Sequence, residues 1–347
     1  GDDPTLLVPP EDCGADLCRL VKDLSWVFRQ YDHQLFLNTV EPPGGDATVL
    51  RLSAPGATVG DTGRGLALST DGNGRWCALD PKRGAAMAVA ESALNVACAG
   101  ATPVALVDCL NLGNPEHPEV MWQLVEVVEG IAEACSALGL PVVGGNVSLY
   151  NEAGGRDIPP TPVVAVVGVI EELRRRPPGV QLVEGAELVL LGTTEAVLSG
   201  SAWALELRGE AGGALPSLDL EHHRRLVELV GRLVAAPGLV VGIHDVSDGG
   251  LAVALAELAV RSGVGVRAHG VRTHAELFSE SPSRVVLCAE DLGAVTALAE
   301  AAGVSWTSLG TAGGDRLVVE GLVDVSLEEL GRAFRDAIPG AMSNRAR

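Results

Sequence analysis

Two apolar runs in the sequence end in residues suited to a nucleotide and its metal. One, "PVALVDCLNLGNP", reaches Asp108 near its carboxyl end. The other, "LPVVGGNVSLYNE" from Leu140 to Glu152, meets Gly144-Gly145 and then presents Asn146, Ser148, Tyr150 and Asn151. Carboxylate and amide oxygens are the hard donors that Mg²⁺ takes, and glycines let a backbone adopt unusual dihedrals or approach a ligand closely. The apolar run predicts a buried strand over Leu140–Val143, ended by the glycines. If the two runs are neighbouring strands of an α/β sheet, Asp108, Asn146 and the Gly145 backbone converge on one edge of it, where such sheets bind ligands. The same residues also suit loop caps and a turn rich in Gly and Asn, and spacing alone leaves both readings open.

Three further groups have chemical possibilities. Glu91 and Asn95 lie four apart on a predicted helix, so their oxygens share a face and can chelate a metal or simply be solvated. In "GIHDVSDGG" a strand runs into a helix; Asp and Ser side chains can cap that helix, and Gly249-Gly250 can offer N–H groups to an anion. "YDHQ" sets Asp32 beside His33, but no serine or cysteine nucleophile pattern accompanies it, and His33 reads as structural. Neither G-x-x-x-x-G-K-[ST] nor G-x-G-x-x-G after a strand occurs, which disfavours P-loop and Rossmann chemistry.

The elements that must hold these groups alternate along the chain. "ATVLRL" and "GLALSTDG" read as strands. Asp80-Pro81 is a helix start, with Asp as N-cap and Pro at the first position, and the helix runs through small residues to Gly100. Such a helix must pack closely on a sheet. A second helix, about 119–138, gathers Val120, Leu124, Val127, Ile131, Ala134 and Leu138 on one face and stops at Gly139. "PTPVVAVVGVI" is another strand, and the charged, proline-bearing run 171–185 is a natural boundary. Beyond it come strands at "AELVLLG", "LVVGIHD", "SRVVLCAE" and near Ser305 and Arg316, with helices at 220–235, 251–261, 291–302 and from Ser326. The expected domains are a linker over 1–24, an N-terminal domain over 25–172 and a C-terminal α/β domain over 173–347.

Composition agrees with that class. The chain has 347 residues, 47% hydrophobic but only 3% aromatic, with 43 glycines, so its core is built from Ala, Val and Leu. Lys plus Arg number 25 against 45 Asp plus Glu, a formal charge of −20 that disfavours nucleic acid and anionic membranes as partners. Seven scattered cysteines with no CxxC pair suggest neither a zinc site nor a disulfide framework. No run is apolar enough to span a bilayer, and the acidic start has no basic signal-peptide region. A cytoplasmic enzyme is expected, and the Pro/Asp/Gly-rich start reads as a linker within something longer.

In order along about residues 25–290, "YDHQ", "NTVEPPGGDATVLRL", "LALSTDGNGRW", "DPKRGAAMAVAESALNVACAGATPVALVDCLNLGNPEHPE", "PVVGGNVSLYNE" with "PTPVVAVVG", and "HDVSDGGLAVALAE" resemble the second half of the phosphoribosylformylglycinamidine synthase family. The resemblance implies a two-domain unit similar to aminoimidazole ribonucleotide synthetase. Its β-rich N-terminal domain would pair with a counterpart into a dimer-like barrel, and a C-terminal α/β domain would follow. The implied reaction is a C–N ligation: ATP phosphorylates the carbonyl oxygen of formylglycinamide ribonucleotide, and ammonia displaces it to give formylglycinamidine ribonucleotide. Within the matching motifs Asp108 and Gly145 are implied ATP contacts, Asn146 a Mg²⁺ ligand and Ser148 a substrate contact. The family's general-base histidine and other magnesium carboxylates belong to the first half, so no catalytic residue is expected here and the chain alone should be inactive. Implied partners are that first half, a glutaminase subunit and a small assembly subunit, with a homodimer when the chain is isolated. Tandem architecture further implies a second nucleotide–magnesium site, here at Glu91, Asn95 and Asp245. Two alternatives are a catalytically silent scaffold half and a freestanding homodimeric synthetase of the same fold.

Overall fold

The computed structural model describes residues 2–53 and 62–345. Fifteen strands and ten α-helices make two successive sheet-and-helix units among these residues. The first unit contains β1 (Thr39–Glu41), β2 (Thr48–Arg51), β3 (Gly65–Asp71), β4 (Thr102–Asn111), β5 (Val142–Ser148), the short hairpin β6 (Glu152–Ala153) and β7 (Arg156–Asp157), and β8 (Thr161–Ile170). Its main sheet has six strands in the order β1-β2-β3-β8-β4-β5. Every pairing is antiparallel except β4 with β5, and a parallel pair requires a crossover. Among the described residues this sheet is open and closes no barrel.

The helices of this unit are α1 (Cys13–Leu20), α2 (Ser25–Arg29), α3 (Gly74–Leu79), α4 (Pro81–Cys98) and α5 (Pro118–Leu138). α5 is the crossover and ends at Gly139 in the left-handed conformation that glycine adopts without a Cβ penalty. Its Val120, Val127, Ile131 and Ala134 are buried, as the periodicity predicts. α4 begins with the Asp80 carboxylate accepting from Arg83 N–H and Pro81 at N1. Small residues leave α4 buried on nearly every side, packed against β3, β8 and α5.

The second unit contains β9 (Glu187–Leu191), β10 (Val240–Asp245), β11 (Val266–Ala268), β12 (Val285–Ala289), β13 (Trp306–Ala312), β14 (Arg316–Val319) and β15 (Val323–Ser326). They form one sheet, β10-β12-β9-β13-β11-β14-β15. Its helices are α6 (Leu220–Ala235), α7 (Gly250–Ser262), α8 (His274–Phe278), α9 (Leu292–Ala301) and α10 (Leu327–Arg345). α6 packs on α4, where the buried His223 Nε2 meets the Ala90 carbonyl at 2.8 Å. One apolar cluster runs from Leu106, Val164 and Val166 through α4, α5 and α6 to Val189, Leu191, Val285 and Leu287 of the second sheet.

Two expectations are corrected. The segment 1–24 is not a bare linker: Leu6, Leu17, Leu20 and Val21 are buried in the core of the second unit, and the Asp12 carboxylate caps α1. The Leu and Cys spacing of "CGADLCRL" already carries a helical apolar face, masked by the Pro and Asp around it. The strand at Leu140–Val143 does not stop at Gly144-Gly145 either. β5 passes straight through both glycines, neither of which has a positive φ, and as the edge strand it leaves Val142 and Val143 exposed rather than buried. Among the described residues no helix is long and apolar enough to cross a membrane.

Candidate functional site

β4 and β5 are neighbours, and their register sets Asp108 opposite Gly145, Cys109 opposite Asn146 and Asn111 opposite Ser148. The glycine at 145 is explained by contact rather than by conformation, because a Cβ there would stand 2.5 Å from Asp108 Oδ1. Residues opposed in a sheet share a face and successive residues alternate. Asp108 and Gly145 therefore lie on the face that carries the buried Leu106 and Leu110, while Asn146 and Ser148 project from the other. The expected convergence of side chains is thus a division around an edge. β5 is the last strand of its sheet, exposed along almost all its length, and a ligand touching all four residues must lie along that edge. Ser148 Oγ is held by the Asn151 amide at 3.1 Å, and Asn146 Nδ2 contacts Cys109 Sγ at 3.8 Å. Burial raises the Asp108 carboxyl above its usual range.

A second constellation lies inside the molecule. A cavity of about 750 Å³ opens between the two units, and Asp71, Glu91, Asn95 and Asp245 line it together with Asp46, His244, Asp248 and Glu257. α4 supplies Glu91 and Asn95, the end of β3 supplies Asp71, and the end of β10 supplies His244 and Asp245. Asn95 Nδ2 donates to Asp71 Oδ1 at 2.9 Å. Its Oδ1 is buried with no hydrogen-bond partner, and Asn95 is only 5% exposed. A buried acceptor left empty beside several carboxylates fits a cation. The His244 ring is locked from both sides: Nδ1 meets Asp46 Oδ1 at 2.5 Å and Nε2 lies 3.3 Å from Glu257 Oε2.

Burial and mutual repulsion move these groups together. Burial, then Asp46, pushes the Asp245 carboxyl up to about 8, and burial, then Asp71, raises Glu91 well above its usual range. Burial also raises Asp71. Burial lowers His244, but Asp46 and Glu257 outweigh it and hold the imidazole protonated well above its usual value. All these folded-state values lie above their unfolded ones, so the folded chain binds more protons and loses stability as pH rises. For Asp245 the window runs from near 3.8 to about 8. The melting temperature of the metal-free chain should therefore fall between pH 5 and pH 8.5, and millimolar Mg²⁺ should remove most of that fall. A melting temperature flat across the range would show that the carboxylates are not strained by one another.

The other predicted groups have structural roles. Asp32 Oδ1 accepts from Gln34 N–H at 2.7 Å instead of orienting His33, and His33 packs edge-on against Phe28. In "HDVSDGG" neither Ser247 nor Asp248 caps α7 through its side chain. Asp248 pairs with Arg75 at 2.7 Å. An anion does meet the Gly249 N–H, but it is the chain's own Glu280 at 2.8 Å. Asp46, Asp71, His244, Asp248 and Glu257 were absent from the predicted site. The visible signal was a carboxylate at the end of "STDG" and another after the glycines of "PPGGD".

Comparison with known proteins gives a consistent picture. The model of the AIR synthase related protein N-terminal domain matches residues 44–170, and that of the C-terminal domain matches residues 183–321. The chain is 47% identical over 341 residues to the phosphoribosylformylglycinamidine synthase subunit PurL of a Nocardioides species, covering 97% of the chain and 43% of that protein. It is 44% identical over 355 residues to the PurL subunit of Moorella thermoacetica, covering 98% of the chain and 47% of that protein. The chain thus spans about half the length of the curated relatives it matches. Among solved structures, Thermotoga maritima PurL complexed with FGAR superimposes with a TM-score of 0.65 at 19% identity, covering 95% of this chain and 52% of that one. At that identity the likeness speaks to the fold.

Proposed function

The chain belongs to the AIR synthase related family, and from that membership we propose that it forms the second half of a phosphoribosylformylglycinamidine synthase. The reaction is the ATP-dependent amidation of formylglycinamide ribonucleotide to formylglycinamidine ribonucleotide in the cytoplasm. The observation that carries this reading is the pairing of Asp108 with Gly145 beside Asn146 and Ser148 on an open sheet edge. In it Asp108 and the side-chain-free Gly145 receive ATP, Asn146 offers its amide oxygen to Mg²⁺, and the Ser148 hydroxyl, held by Asn151, meets the ribonucleotide. Bound Mg²⁺ would neutralise charge on the transferring phosphoryl group. The general base, the remaining metal ligands and most substrate contacts come from the first half, which lies along β5. Ammonia reaches the site from a glutaminase subunit, and a small subunit assists assembly.

The acidic cavity fits a second nucleotide–magnesium site, held by Glu91, Asn95 and Asp245 with Asp71 added. The empty Asn95 Oδ1 supports it, because a metal is the partner its surroundings best supply. Held between the two units, this nucleotide would act as a structural element.

The isolated chain should form no formylglycinamidine ribonucleotide from ATP, ammonia and substrate. It should also self-associate, since β5 leaves ladder groups and Val142, Val143 and Val147 uncovered. Adding the separately produced first half should restore turnover. Turnover by the chain alone would instead identify a freestanding synthetase.

A further inference from the structure

The lining of the acidic cavity poses a charge problem for any phosphate-bearing ligand. Seven carboxylates face it, against one lysine and one histidine. Metal ions carried in with a nucleotide relieve part of that repulsion, but phosphate oxygens not bound to metal still need a cation or a donor. His244 cannot turn to them, because both its ring nitrogens are engaged by carboxylates. At the amino end of α7 the Gly249 N–H is already taken by Glu280 at 2.8 Å.

That leaves Lys22. It follows α1, in the segment expected to be a linker, and lines the same cavity. Its ammonium is held by Glu206, at 2.9 Å from Oε1 and 2.6 Å from Oε2. Both side chains are about 40% exposed, so the pair sits at the cavity rim, where a long flexible stem can swing. A surface pair of this kind contributes little to stability, whereas a lysine ammonium is a strong point-charge partner for phosphate.

We propose that Lys22 is the phosphate-binding cation of the internal nucleotide site and that Glu206 competes with the ligand for it. The inference rests on the reading of the cavity as a nucleotide–magnesium site and adds which residue receives the phosphates and what restrains it. On binding, the Lys22 ammonium leaves the Glu206 carboxylate for the terminal phosphate oxygens. The ligand class is a nucleoside di- or triphosphate; a nucleoside without phosphates gains nothing from Lys22.

The test is calorimetry of the full 347-residue chain with MgADP, and with adenosine plus Mg²⁺ as a control. Lys22→Gln should weaken MgADP binding roughly tenfold, the usual scale for one charged hydrogen bond, and leave adenosine unaffected. Glu206→Gln should tighten MgADP several-fold by freeing the lysine, and the double variant should match Lys22→Gln alone. If Lys22→Gln binds MgADP as wild type does, the inference fails while the nucleotide site stands. If Glu206→Gln weakens binding as much as Lys22→Gln, the pair is a structural latch and the inference likewise fails. If wild type gives no heat with MgADP while Glu91→Gln and Asp245→Asn behave identically, the cavity reading itself falls, and Lys22 with it.

Discussion

Asn146→Ala, placed in the joined two-half synthetase, should lower ATP-dependent turnover by roughly 10²-fold, the scale of losing one preorganised group that stabilises transferring charge. Asn146 is exposed on β5, so the substitution removes little packing beyond its contact with Cys109. Its amide nitrogen is turned toward Cys109 Sγ, which leaves Oδ1 as the atom to offer a cation. Part of the loss should return at high Mg²⁺, because a weakened ligand set is partly compensated by metal concentration, and Asn146→Asp should retain more activity than Asn146→Ala. Ser148→Ala should differ in kind, raising KM for the ribonucleotide more than KM for ATP. Steady-state kinetics over a Mg²⁺ series decide the matter. An Asn146→Ala enzyme with normal turnover at limiting Mg²⁺ removes the metal assignment.

Glu280→Ala should cost about 3–5 kcal/mol of stability, the range for breaking a buried charged pair. Glu280 is 3% exposed. One carboxylate oxygen accepts from the backbone N–H of Ala202 at 2.7 Å and of Gly249 at 2.8 Å. The other accepts from Arg75 at 3.0 Å and Trp76 Nε1 at 3.2 Å. Truncation strands the Ala202 and Gly249 N–H groups and Trp76 Nε1, and leaves Arg75 with Asp248 as its carboxylate partner. Burial, then Asp248, lifts this carboxyl to about 7, so urea unfolding at pH 8 measures the ionised pair. Glu280→Gln should fall between the two, keeping shape but losing charge. An unfolding midpoint within error of wild type would mean that water replaces the carboxylate without penalty.

What the sequence disclosed and what it hid have separate physical causes. α4 and α5 are legible to within a residue or two because their caps are local: Asp80-Pro81 at one start and Gly139 at one end act through neighbours in the chain. The pairing of β4 with β5 remains a supposition until the fold is seen, since strand order depends on contacts remote in sequence. The purpose of Gly145 is hidden for the same reason. In sequence it looks like a conformational break, whereas its cause is the Asp108 side chain, on another strand, lying where a Cβ would go. Asp46, Asp71 and His244 come from three separate segments, and only the fold brings them to one cavity. α1 is masked because Pro and Asp around it suggest a linker, although its own leucines are spaced for a core.

The apolar cluster that runs from the first sheet through α4 and α6 to the second has a thermodynamic consequence. A boundary drawn at 171–182, between the two family domains, divides recurring modules of sequence. It does not divide the energy. Leu226, Leu229 and Leu233 of α6 lose their burial if the first sheet melts, and α4 loses a wall if the second one does. Heat or denaturant should thus meet one cooperative unit. A cut in the connecting segment should leave two pieces that stay clasped, because neither has a finished interior to retreat to.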